Sequence, residues 1–368
     1  MTTKLKNYLT LALAAGLLYG FLLWGILRPD AALSTAERRP LTQRPVFTVQ
    51  TALDGQFMSR FEQYTLDQFP LRDELRTLKS LTGRCLLRQR DQHGIYLAQG
   101  QAAKLDYPLH EDQLNYALSR FGYVYDTLLA GTDAHVYAAV VPDKGYYLAA
   151  QNGYPAMDYG ALFAAVREHL PWAEHIDLTP FLTADSYYAT DAHWRQECLT
   201  DAADALAQAM GAQLTDNTCY TSVTAETPFY GVYSGQSALP LTPDTLTWLT
   251  SETLSACRVY DYETDTWLPI YDTAQADGSD PYALFLSGSK SLLRLENPNA
   301  QTDRELIVFR DSFGSSLAPL LASGYRSVTL VDIRYLAPER LPQFLTITNQ
   351  DVLFLYSTTV LNNSDAIK

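Results

Sequence analysis

The chain has 368 residues, 47% of them hydrophobic, enough for one large or two modest domains with a substantial core. Its formal charge is −14, with 41 acidic side chains against 27 basic ones and no long basic run. That balance weighs against a nucleic-acid partner held through its phosphates. Tyrosines number 25 against 14 phenylalanines. A ring with a polar tip suits a cleft for sugars, and it suits strands and the core edge equally well.

Residues 8–27 (YLTLALAAGLLYGFLLWGIL) carry no charge and have no polar face. A run of about 20 such residues crosses a bilayer as a helix. Lys4 and Lys6 precede it and Arg28 follows. With a long segment downstream, this predicts a cytoplasmic N-terminus and an extracytoplasmic bulk. A cleaved signal peptide is the rival reading. It calls for a shorter apolar region and a small-x-small site, which residues 31–36 (AALSTA) supply poorly. The expected organisation is therefore an N-terminus and anchor over 1–28 and a Pro-rich juxtamembrane linker over 29–50. One extracytoplasmic domain follows over 51–368, with an irregular insertion at about 220–280.

Residues 56–81 carry helical periodicity, through Phe57, Phe61, Tyr64, Leu75 and Leu78. Pro70 breaks it, which predicts two helices with a corner at Gln68-Phe69-Pro70. A short strand is expected at 94–97 and a helix over 109–129. Residues 135–141 (HVYAAVV) read as a buried strand ending at Pro142-Asp143-Lys144. Ligands gather at the carboxyl ends of such strands, so Lys144 is either a substrate contact or a solvated turn residue. A helix over 159–170 and a strand over 172–178 follow. His93, His110, His135, His169 and His175 are scattered without ligand spacing, so neither a metal nor another cofactor is expected.

Residues 186–194 (SYYATDAHW) place Asp191 two positions before His193. In extended backbone the two side chains point the same way. The carboxylate can then hold one ring nitrogen while the other faces outward as a base. Tyr187, Tyr188 and Trp194 are candidate walls. Taken alone, Asp191 reads equally well as a cap of the helix expected over 199–210. Residues 211–245 read as loop, and Tyr230 among the aromatics and glycines of 227–237 is a candidate cleft wall. Residues 247–273 alternate as short antiparallel strands. Residues 305–309 (ELIVF) read as a strand, and residues 317–321 begin a helix. Ser312 thus sits in a strand-to-helix turn, where following N–H groups can receive an oxyanion. A serine needs a neighbouring imidazole to become a nucleophile. Ser312 or Asp311 as a plain helix cap is the alternative. Further strands at 328–332 and 351–356 complete an α/β pattern. Cys85, Cys198, Cys219 and Cys257 have no metal-type spacing. An exported chain permits disulfides, Cys219 with Cys257 or Cys198 among them.

Taken together these blocks resemble the DHHW family, related to the alginate O-acetyltransferase-like group of SGNH hydrolases. The likeness rests on the ordered series 54–57 (DGQF), 67–73 (DQFPLRD), 141–144 (VPDK), 187–194 (YYATDAHW), 229–231 (FYG), 282–288, 310–313 (RDSF) and 331–335 (VDIRY). It implies an SGNH-like three-layer α/β/α domain with a mostly parallel sheet, and a triad of Ser312, His193 and Asp191. Gly288 is the oxyanion candidate by position, together with Ser312. Ala192 stands where the family name has a second histidine, which leaves His193 as the motif's one imidazole. By resemblance the acceptor is a cell-envelope or secreted polysaccharide, and a multispanning membrane O-acyltransferase delivers the acyl group. The expected activity is O-acetyl transfer. An esterase, or a non-catalytic glycan-binding or assembly protein, are the alternatives.

Overall fold

The computed structural model describes residues 2–368. The chain divides into two compact units, one running up to Gln92 with Gly235–Pro240, the other comprising His93–Ser234 and Leu241–Lys368.

In the first unit, helix α1 (Thr3–Leu27) has no buried residue and is long and apolar enough to cross a membrane. Helices α2 (Gln56–Asp67) and α3 (Arg72–Leu81) meet at the expected corner. Pro70 has no N–H to continue the first helix. The linker is less open than expected: Leu33–Ser34 pairs with Arg39–Pro40. Asp67 clamps it by accepting from Arg39, from the Thr42 amide and from the Thr42 hydroxyl. That hydrogen bonding holds the Asp67 carboxyl well below the usual range.

The second unit is built on an eight-stranded sheet. Its strands are β1 (His135–Val141), β2 (Glu174–Ile176), β3 (Arg258–Asp261), β4 (Thr266–Leu268), β5 (Leu292–Glu296), β6 (Glu305–Arg310), β7 (Ser327–Val331) and β8 (Asp351–Ser357). The spatial order is β4-β3-β5-β7-β6-β8-β1-β2. From β7 to β2 the four pairings are parallel, and the β4-β3-β5-β7 edge is antiparallel. Strands β6 and β8 are apolar between their end residues but serve two layers. Leu306, Val308, Leu353 and Leu355 face α6 (Thr200–Ala209) and α7 (Gly314–Leu321). Ile307, Phe309, Val352 and Phe354 face α4 (Glu111–Val124) and α5 (Tyr159–His169). Continuous apolar runs are what a sheet covered on both faces requires. The result is a three-layer α/β/α domain.

The stretch over 211–245 is more regular than its composition suggests. Thr221–Phe229 pairs with Asp244–Thr250 across an irregular register. Most of Thr221–Phe229 is exposed, so its threonines and Glu226 hide the strand behind a polar pattern. Strand β5 also escaped the sequence reading. All four cysteines are free thiols, so the disulfide expectation is corrected. The buried Cys257 instead donates to the Thr253 carbonyl.

Candidate active site

The carboxyl ends of β6, β8 and β1 lie together, and three chain segments converge there. The first is the turn after β6. Asp311 is fully buried, and its carboxylate accepts from the Phe313 amide at 3.0 Å and from the Ser357 amide at the end of β8 at 2.8 Å. This folds the chain back so that Ser312, half-buried, caps the strand edge and α7 starts two residues later. Gly314 is required by the close approach: a Cβ there would lie 2.8 Å from Arg310 Cβ. The buried Arg310 braces the turn from below, donating to Ser315 Oγ at 3.1 Å and to the Asp311 carbonyl at 3.3 Å. Burial pushes its pKa down and Asp332 offsets this, yet a guanidinium stays charged.

The turn's amides are mostly committed. Phe313 N–H donates to Asp311 Oδ1, Gly314 N–H to the Asp311 carbonyl, and Ser315 N–H to the Ser312 carbonyl. The expectation that the amides following Ser312 receive an oxyanion is thereby corrected. The Ser312 N–H is not among these committed amides. Gly288 adopts φ +84°, and its N–H donates to the Phe285 carbonyl at 3.2 Å.

The second segment is a tight hairpin closed by the Tyr187–Trp194 bridge, with Asp191 at its tip. Two side chains hold its leading strand, a lysine donating and an aspartate accepting. Lys144 Nζ donates to the carbonyls of Tyr188 (2.9 Å) and Ala189 (3.3 Å). Asp244 accepts from the amides of Ala189 (2.7 Å) and Thr190 (2.8 Å). Lys144 is 3% exposed. Burial pushes its pKa down to about 7, although Asp191, Asp244 and Asp143 pull it upward. The solvated-turn reading of Lys144 is therefore corrected, because this buried amine is an internal brace.

The third segment is the loop at 229–233. Val232 N–H donates to Asp191 Oδ2 at 2.7 Å, and Gly231 N–H donates to Thr190 Oγ1 at 2.8 Å. A Cβ on Gly231 would sit 2.3 Å from the Thr190 carbonyl carbon and 2.4 Å from Asp191 Cβ, so only glycine lets the loop close.

These supports converge on one chain of hydrogen bonds. Asp191, 1% exposed, accepts at Oδ1 from the His193 amide at 3.0 Å and faces His193 Nδ1 at 2.7 Å. His193 Nε2 lies 2.8 Å from Ser312 Oγ. A carboxylate only accepts, so Nδ1 carries the imidazole proton and Nε2 is left to accept from the serine. The imidazole also lies flat on Tyr282, with centroids 3.9 Å apart and planes at 12°. The Tyr282 hydroxyl is 2.8 Å from Ser316 Oγ. Burial pushes its phenol pKa far up, so the ring stays neutral. A neutral aromatic face favours an imidazolium over it.

The remaining candidates separate. Tyr187 is buried and donates to the Pro142 carbonyl. Trp194 is buried, and its Nε1 donates to the Phe313 carbonyl (3.1 Å) and Ser316 Oγ (2.8 Å). Both therefore fasten the acid–base hairpin to the fold, and Trp194 ties it to the serine turn. Tyr230 is exposed. Sequence reasoning missed Tyr282 as the ring under the histidine and Asp244 as the clamp. Neither carries a local signal, since Asp244 is 54 residues from Thr190. Among the described residues no three His, Cys, Asp or Glu side chains group as metal ligands.

No protein-family model and no curated protein matches the sequence. Solved structures do match. A DHHW family protein from Eubacterium siraeum superposes with TM-score 0.62 at 23% identity, over 75% of this chain and 94% of that one. The chain has the fold of a DHHW family protein. Bacillus cereus PatB1, solved with a sulfonyl adduct, superposes with TM-score 0.57 at 18% identity, over 73% and 95% of the two chains. A slighter likeness reaches the O-acetyltransferase domain of Pseudomonas putida AlgJ, with TM-score 0.44 at 16% identity over 73% and 92%. At these identities the likeness is one of fold.

Proposed function

We propose that this protein is a membrane-anchored, extracytoplasmic acyl-transfer enzyme, an O-acetyltransferase for a cell-envelope or secreted polysaccharide. One observation carries the reading: the buried Asp191 and the half-buried His193 and Ser312 form an unbroken relay with links of 2.7 and 2.8 Å. His193 Nε2 takes the Ser312 proton as Oγ attacks the donor's acyl carbonyl. The negative charge on the carbonyl oxygen is met by the Ser312 N–H. The donor's C–O bond breaks, and His193 returns the proton to the leaving oxygen. A sugar hydroxyl, deprotonated by the same nitrogen, then attacks acyl-Ser312 and frees the serine. Asp191 holds the tautomer and stabilises the imidazolium throughout. A multispanning membrane acyltransferase is the proposed source of the acyl group, and helix α1 the proposed anchor.

The test incubates the protein with an aryl acetate and a panel of acidic and neutral oligosaccharides, followed by mass spectrometry of the sugars. Acetylated sugar that disappears with Ser312→Ala supports transfer. Serine-dependent acetate release with no acetylated sugar assigns an esterase instead. Turnover unchanged by Ser312→Ala refutes the triad.

A further inference from the structure

Helix α3 presents an apolar stripe outward. Arg72 and Arg76 turn inward and reach Glu37 of the linker at 2.6 and 3.0 Å, while Asp73, Glu74 and Lys79 are exposed. Its apolar side chains turn outward. Leu71, Leu75 and Leu78, spaced four and three apart on one helical stripe, are 38%, 40% and 60% exposed. Phe69, just before them, is 41% exposed.

Helix α1 indicates what covers this stripe. Phe69 stacks on Phe21, with centroids 5.3 Å apart and planes at 13°. Pro70 packs over Gly25, where an added Cβ would lie 3.7 Å from Pro70 Cδ. Gln68 accepts from the Ala31 amide and donates to its carbonyl, both at 2.9 Å, locking the corner to the chain just beyond α1. Phe21 precedes the end of α1 by six residues, about 9 Å along its axis. Twenty-five residues rise about 37 Å, against a hydrocarbon core of about 30 Å. When α1 spans, centred on that core, Phe21 therefore lies about 5 Å inside the hydrocarbon edge and Gly25 at the edge, and the corner packed on both lies at that shallow depth. Charge agrees. Residues 1–92 hold 13 Lys and Arg against eight Asp and Glu, whereas residues 93–368 hold 14 against 33. Lys79, Arg84, Arg88 and Arg90 are exposed.

We infer that α3 and the Phe69–Pro70 corner form an interfacial platform. They lie in the surface of the membrane that α1 crosses, with Phe69, Leu71, Leu75 and Leu78 entering the acyl boundary and the basic side chains meeting anionic headgroups. The inference rests on the reading of α1 as an anchor.

The full chain, with its four cysteines replaced by serine or alanine, is reconstituted in phosphatidylcholine vesicles containing phosphatidylglycerol. An environment-sensitive fluorophore is placed on Leu78→Cys, on Leu17→Cys within the span, or on Glu226→Cys in the acidic unit. Lipids carrying a nitroxide near the headgroup or at mid-chain serve as quenchers. The platform predicts a blue-shifted label at position 78, quenched several-fold more by the shallow nitroxide than the label at 226, with position 17 quenched at mid-chain. A label at 78 that stays water-like while 17 is quenched overturns the platform and leaves the anchor standing. A label at 78 that is shifted but unquenched, and sensitive to protein concentration, also overturns it, in favour of a second copy covering the stripe. No quenching at 17 overturns the anchor and the platform together.

Discussion

Lys144→Met tests the internal brace of the acid–base hairpin through the pH dependence of stability. An ordinary lysine keeps its proton to about 10.5, and burial brings Lys144 down to about 7 in the folded chain. Between these values the unfolded chain binds the proton and the folded chain does not. Stability from this site therefore rises with pH across that window, at up to about 1.4 kcal/mol per pH unit. Below about pH 7 both states are protonated and the slope vanishes. From pH 7 to pH 9 wild type should gain about 2 kcal/mol that Lys144→Met does not. The variant also strands the carbonyls of Tyr188 and Ala189, at a cost of about 1–3 kcal/mol. It should therefore be the less stable protein at pH 9, and the gap should narrow toward pH 6. Urea unfolding in detergent at a series of pH values gives the two curves, and their difference cancels the other titrating groups. Parallel curves would refute the reasoning, because they would mean that Lys144 reaches water and titrates as an ordinary lysine.

Three further substitutions probe the site. Asp191→Asn presents an amide that can donate to Nδ1, so the imidazole loses its orienting acceptor; aryl acetate turnover should fall roughly a thousandfold or more with an unchanged circular dichroism spectrum. Gly231→Ala forces a methyl into the Thr190–Asp191 backbone, which should lower turnover and destabilise the fold by about 1–3 kcal/mol, read from activity and urea midpoint together. Trp194→Phe removes the donor to Phe313 O and Ser316 Oγ; the midpoint should drop by about 1–3 kcal/mol, with turnover falling as the hairpin loosens from the serine turn.

The sequence made the layers readable because the sheet is covered on both faces. The runs 306–309 and 352–356 are apolar at every position, which is the signature of a buried parallel strand. The two halves of the relay were also legible. Asp191 and His193 are separated by one residue in a turn-rich aromatic stretch, and Ser312 follows a strand and precedes a helix. What the sequence hides is long-range. The ring beneath His193 comes from Tyr282, 89 positions on, and the clamp on Thr190 comes from Asp244. Lys144 looked like a surface residue because its one-dimensional neighbours are a proline and an aspartate, while its burial comes from the hairpin folded over it. The exposed strand Thr221–Phe229 carries almost no apolar alternation, so its pairing with Asp244–Thr250 is a tertiary fact.

The proposed acyl transfer requires that Ser312 be a nucleophile driven by His193. Treating the protein with a sulfonyl fluoride or an aryl phosphonate, then mapping peptides by mass spectrometry, tests it directly. A single adduct on Ser312 is expected, absent in Ser312→Ala and formed at least about a hundredfold more slowly in His193→Ala. An unlabelled Ser312 in the folded protein, or labelling at the same rate without the imidazole, would contradict it.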